Sequence, residues 1–285
     1  MGLNFSSYFF VQLKISVIIN IEVRSLDIYQ IKDFQHPRDS QLVNDILSNN
    51  LAINILQTFH QTNIEDAYSY LYQSSCPQLT EKTSPKLFEL LAKACEMFEL
   101  KEIPKVYVTR DYTETVSVRG MKDPFLVFSS EYLRKLDDET LFGILAGQVA
   151  AIRCNHHIIL CITWGIYFAA GFIPYGTMAI DPIINDWKRC RYFTYDRAFC
   201  LATKNHSLSL RQVLINVVPQ NILDRMRIGT DQDAFINQAK KFLNTMNNNK
   251  TQKLIKKAIS AYSYKIWLPE RYEEINKFFD ERRIL

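Results

Sequence analysis

Residues 141–156 read Leu141-Phe142-Gly143-Ile144-Leu145-Ala146-Gly147-Gln148-Val149-Ala150-Ala151-Ile152-Arg153-Cys154-Asn155-His156. Leu141, Ile144, Leu145, Gln148, Val149 and Ile152 recur at helical steps, which predicts a helix with a broad apolar face. Asp137-Asp138-Glu139 predict its start, because acids in a first turn complement the positive end of the helix dipole. Upstream, residues 106–108, 116–118 and 125–128 are short β-rich runs. Arg119-Gly120-Met121-Lys122-Asp123 forms a turn between the last two. Residues 84–98 read as a helix, with Ser84 at its N-cap, Pro85 at N1 and Leu87, Leu90, Leu91, Ala94, Cys95 and Phe98 on its apolar face. Residues 74–83 read as a polar loop around Pro77. Leu42, Ile46, Leu51, Ile55, Leu56 and Phe59 carry an earlier helical period. Downstream, residues 185–203 and several stretches after Ser207 look helical. A small sheet within a mostly helical chain predicts an α+β class.

The chain has 285 residues, 47% of them hydrophobic and 22% charged, so it can bury a substantial core. The net charge of +4 is mild and no dense Lys/Arg stripe occurs, which argues against nucleic acid as a partner. Cys76, Cys95, Cys154, Cys161, Cys190 and Cys200 form no C-x-x-C pair. Free, buried thiols in a reducing compartment are expected. A thiol nucleophile at Cys154 or Cys200 would need a facing His, and neither position offers one by spacing. Glycine is too scarce and too scattered for a phosphate-binding loop, and no G-x-S-x-G occurs.

The apolar amino end is interrupted by Lys14 and does not read as a signal peptide. From Ile15 to Arg24 apolar and polar residues alternate, which predicts a half-buried strand. Residues 1–32 are therefore read as an appended strand-forming extension, and residues 33–285 as the main domain. The uncharged stretch 158–180 contains Gly171, Pro174 and Gly176, expected to mark a fold-back. A single span would put the helices before and after it on opposite sides of a bilayer. Two spans would need about 40 apolar residues. The stretch is expected to bury its surface against the domain, a partner or a membrane surface.

Taken together, residues 104–204 resemble a family of zinc metallopeptidases that includes the heat-shock protease HtpX and the CAAX prenyl proteases. Pro104-Lys105-Val106-Tyr107-Val108, Gly120, Pro124-Phe125-Leu126-Val127, Leu133 and Asp138-Glu139 are similar to the lead-in to that family's active-site helix, and residues 141–156 to the helix itself. Trp187-Lys188-Arg189-Cys190-Arg191-Tyr192-Phe193-Thr194-Tyr195-Asp196-Arg197-Ala198 resembles the second metal helix. Phe34-Gln35-His36-Pro37-Arg38-Asp39 resembles the cyanobacterial and plastid branch. The resemblance implies a mainly helical, zincin-like fold with a small sheet beside the former active-site helix.

The family's chemistry uses H-E-x-x-H on one helix and a Glu on the other to hold zinc, with the first Glu as general base. Carried over residue by residue, these positions are Gly147, Gln148, Ala151 and Tyr192. Gly and Ala bring no donor atom, and Gln is not a carboxylate base. A phenol, with an ordinary pKa of about 10, is a poor zinc ligand at neutral pH. Thr115 stands near the family's edge-strand Asn, and Lys265 near a late His that assists the transition state. The resemblance therefore implies a pseudopeptidase without zinc or other cofactor, acting as a structural, regulatory or partner-binding subunit with a protein partner. Asp196 would be a remnant of the shell that oriented a ligand, now paired with Arg189, Arg191 or Arg197.

Tyr192, Phe193, Tyr195 and Phe199 are expected to pack into the vacated site. Val127, Phe128, Gln148 and Tyr192 are the candidate lining of a retained peptide cleft, with the third strand or its neighbour taking up the peptide. Two other readings stand beside this one. In the first, a zinc metalloendopeptidase has rearranged ligands, with His156, Asp196 and Cys190 as a substitute set. The second is a membrane-surface scaffold using residues 158–180.

Overall fold

The computed structural model describes residues 31–62, 64–110, 115–170, 181–215 and 268–282, with isolated positions between 237 and 254. The chain divides into two units, residues 1–33 and 34–285. The strand expected at 15–23 lies outside the described residues. The account below concerns the second unit.

It opens with three helices, α1 (Pro37–Leu47), α2 (Asn50–Thr62) and α3 (Ile64–Ser75). Strand β1 (Gln78–Leu79) follows, then α4 (Pro85–Met97), β2 (Val106–Thr109), β3 (Val116–Arg119) and β4 (Phe125–Ser129). The short helix α5 (Ser130–Leu133) leads to α6 (Asp138–Arg153), α7 (His156–Ala170), α8 (Asp181–Thr203), α9 (His206–Ile215) and α10 (Leu268–Arg282). The chain is mainly helical with one small mixed sheet, the α+β class expected.

The sheet order is β1-β2-β4-β3. β4 runs parallel to β2, with Val106 opposite Leu126, and antiparallel to β3, with Val116 opposite Phe128. β1 falls inside the stretch read as a polar loop and adds an antiparallel edge to β2. All five residues of β4 are buried, which identifies it as the covered interior strand. Val127 packs with Tyr107, Phe125, Tyr72 and Cys76. Gly120 takes φ +82° in the β3–β4 turn, where a Cβ would sit 2.7 Å from the Asp123 carbonyl oxygen.

α6 begins as its acids predict. Asp137 is the N-cap and its carboxylate accepts from the Thr140 N–H at 2.7 Å. From Thr140 to Arg153 every residue is buried, so this is a central helix covered all round. Two residues past its end Asn155 takes the left-handed conformation (φ 59°), and α7 leaves at 71° to α6. Residues of α1, α2, α7 and the start of α8 share one core, including Val43, Phe59, Ile159, Ile162 and Trp187. Among the described residues no single helix is long and apolar enough to cross a membrane. The break expected around Gly171, Pro174 and Gly176 lies outside them.

α6 packs most extensively on α8, and small residues set the closeness. A Cβ at Gly143 would overlap the buried Phe199 ring. Gly143→Ala is expected to lower unfolding stability by up to about 2 kcal/mol in urea titration. Overpacking costs about 1–3 kcal/mol, against about 1 kcal/mol gained from Ala's helix propensity. An unchanged or raised midpoint would mean that α8 can yield.

Candidate functional site

Gly147, Gln148 and Ala151 project from α6, and Tyr192 lies on α8, the helix facing it. Gly147, Gln148 and Tyr192 line one cleft, together with Thr115 and residues 116–118 at the β3 edge, Gly143, Arg191, Tyr195, Phe199, Gln212 and Arg271. Ala151 is fully buried and does not reach it. The two helices approach closely here. A Cβ at Gly147 would lie 3.4 Å from the Tyr195 carbonyl oxygen.

The cleft is narrowed by aromatic rings but not filled. Tyr192 and Tyr195 pack edge to face at 5.8 Å, whereas Phe193 turns away to His36 at 5.0 Å. About 100 Å³ remains open. The expected filling by apolar atoms thus meets a polar interior, because Gln148, Arg191, Gln212 and Arg271 all face the space. Val127 and Phe128, expected at a peptide cleft, do not line it. Both are buried on the interior strand β4, and the strand that borders the cleft is its neighbour β3.

Asp196 is buried below the cleft. Arg271 of α10 donates to both its oxygens, Nε to Oδ2 at 2.8 Å and Nη2 to Oδ1 at 2.5 Å, and Gln212 Nε2 donates to Oδ1 at 2.6 Å. This corrects the expected pairing with a neighbouring arginine of the same helix. Arg189 instead bonds Asp186, Arg197 bonds Glu274, and Arg191 stacks on aromatic rings. Side chains at short helical spacings from Asp196 do not all face it. A residue from a distant helix supplies the fork geometry a carboxylate accepts.

His156 lies in a second network. Its Nε2 is 2.8 Å from Asp39 Oδ2, which also accepts from Thr194 Oγ1 at 2.7 Å and Gln35 Nε2 at 3.3 Å. Burial pushes the Asp39 carboxyl up, but the electrostatic pull of His156 and these hydrogen bonds outweigh it and leave the carboxyl below its ordinary value. The network ties α1, α7 and α8 together. The expected set of His156, Asp196 and Cys190 is therefore split between separate networks. Asp39 stood out in the sequence only within the Phe34–Asp39 resemblance, and its pairing with His156 across 117 residues left no local trace. His157 is buried beside His156. Burial, then the neighbouring His156, push its pKa down to about 3 against a hydrogen bond with the Met121 backbone.

Zinc does not fit the four family positions. Gly147 and Ala151 have no donor atom, and the Gln148 amide has no carboxylate charge. Among the described residues, one His/Cys/Asp/Glu trio clusters tightly, Asp39, Cys154 and His156, with ligand atoms within 4.8 Å of one another. It is fully buried, and burial followed by the nearby Asp39 pushes the Cys154 thiol well up, which opposes thiolate ligation. Lys265 lies outside the described residues.

No family model matches the chain, and no solved structure matches it. It is similar to a protein of Arabidopsis thaliana named "Plastoglobule-localized metallopeptidase 48, chloroplastic", at 26% identity over 223 residues. The match covers 74% of this chain, and the chain spans 62% of the relative's length. That likeness supports a distant, metallopeptidase-like relationship.

Proposed function

We propose that the chain is a catalytically inactive metallopeptidase homologue of the HtpX and CAAX prenyl protease type, serving as a structural, regulatory or partner-binding subunit. One observation carries the reading. The side chains at the four working positions, on two helices packed face to face, are Gly147, Gln148, Ala151 and Tyr192, and between them they offer neither a zinc ligand set nor a general base. Arg191 lines the same cleft and brings positive charge where the family chemistry would place a dication. A chloroplast location, in contact with a lipid surface, is proposed on the relative's name. Trp164 of α7 and Ile183 of α8 are exposed and suit such contact.

Purified protein dialysed against zinc is expected to retain no stoichiometric metal and to leave casein intact. Elemental analysis and a protease assay check this. Stoichiometric zinc with chelator-sensitive proteolysis would overturn the reading. With the expected set of His156, Asp196 and Cys190 split, a rearranged-ligand alternative would have to use Asp39, Cys154 and His156 instead, and under it Cys154→Ser would abolish the bound zinc.

A further inference from the structure

On α8 and α10, Arg189 has Asp186, Arg197 has Glu274 and Arg271 has Asp196 as a carboxylate partner. Arg191 has none within ion-pair reach among the described residues. Its guanidinium is boxed instead by aromatic rings, with the Trp187 and Tyr192 centroids at 5.3 Å and that of Tyr195 at 5.9 Å, and it is hydrogen-bonded to Tyr192. Its Nε is buried without a hydrogen-bond partner. Opposite, on α6, Gln148 is 5% exposed and its Oε1 is buried without a donor. Both side chains line the same cleft.

The two groups have complementary needs. A desolvated guanidinium requires an anion, and an amide oxygen requires a donor. A carboxylate matches the fork made by Nε and a terminal nitrogen of arginine. Phosphate would also satisfy Arg191, and its P–OH can donate to Gln148, so inorganic phosphate is titrated beside the carboxylates. The open space, about 100 Å³, is of the order that accepts one small organic group and is too small for an extended peptide running through it. Residues 116–118 of β3, at the edge of the sheet, border it and offer backbone groups.

We infer that the cleft binds the carboxylate of an N-acylated amino acid residue, with the carboxylate on Arg191 and the adjacent N–H on Gln148 Oε1. Two sources share this chemistry, the C-terminus of a partner polypeptide and a free N-acyl amino acid. The inference gives a ligand class to the partner-binding role and rests on that reading. Zinc content tests the reading, and carboxylate affinity tests the inference.

The experiment titrates the full chain, metal-free, with N-acetyl-alanyl-alanine, its C-terminal amide, sodium acetate and inorganic phosphate by calorimetry. The acid is expected to bind at one site, at least about tenfold more tightly than the amide or phosphate, in line with a charge-assisted bond. Arg191→Gln should remove that preference without lowering the unfolding midpoint, since it removes an unbalanced charge. A merely structural arginine would lower the midpoint. Gln148→Leu should weaken the acid and keep the preference for acid over amide, and Arg191→Lys should bind at intermediate strength. An acetylated hexapeptide acid that binds more tightly than the dipeptide identifies a polypeptide terminus, and equal affinity identifies the free acid. Equal binding of acid and amide, no binding of any acid, or unchanged affinity in Arg191→Gln would overturn the inference.

Discussion

Arg271→Met is expected to reduce the unfolding free energy by about 3–5 kcal/mol, the range for breaking a buried ion pair by removing one partner. Both side chains of the Asp196–Arg271 pair are 1% exposed, and the carboxylate accepts two hydrogen bonds from Arg271 beside the one from Gln212. Without it Asp196 keeps Gln212 alone. The carboxylate must then either stay charged in a poor solvent or take up a proton. Burial pulls the Arg271 guanidinium pKa down, but the Asp196 charge and its hydrogen bonds outweigh that and hold the guanidinium charged. The double variant Asp196→Leu, Arg271→Met should lose less than Arg271→Met alone, because no orphan charge remains. Urea titration at pH 7 gives both numbers. A single-variant loss under about 1 kcal/mol would show that water reaches the pair.

Acid should weaken the fold through His157. Its folded pKa is about 3, and an unfolded histidine titrates near 6.5. Above the unfolded value both states carry a neutral ring and the stability is complete. As pH falls from about 6.5 towards 3, the unfolded chain binds a proton that the folded one refuses. Stability then declines by at most about 1.4 kcal/mol per pH unit, or roughly 3 kcal/mol by pH 4. Asp39, held below its ordinary value, adds a further loss at lower pH, when its carboxylate is finally protonated and its hold on His156 and Thr194 weakens. Unfolding free energies measured from pH 7.5 to 4.5 in wild type and His157→Leu should differ in slope by close to one proton. Parallel curves would mean that His157 is hydrated in the folded state.

The elements were legible wherever the signal was local. Asp137-Asp138-Glu139 marked the start of α6, Pro85 that of α4, and Gly120 the β3–β4 turn. Ser84 stands at its cap position but makes no side-chain bond there, so composition placed the helix start without the expected hydrogen bond. The described part of α8 starts at Asp181, ahead of the expected Asn185. β1 has two residues and no apolar alternation to betray it. The cleft positions Gly147, Gln148 and Tyr192 were legible through resemblance to a spacing. The partners of Asp196 and His156 were not, since an ion pair across 75 or 117 residues leaves no periodic trace in either segment.

The same 75-residue separation sets an order of events when the chain is made. Ribosomes add about 5–20 residues per second. Asp196 therefore exists for roughly 4–15 s before Arg271 has been synthesised. During that interval α8 carries a carboxylate that cannot be buried on α6 without its counter-charge, so the central helix pair stays partly wet and its apolar face stays open. The nascent chain is thus most exposed to chaperones and proteases after α8 has emerged and before α10 has arrived, and the closing of the cleft waits for α10.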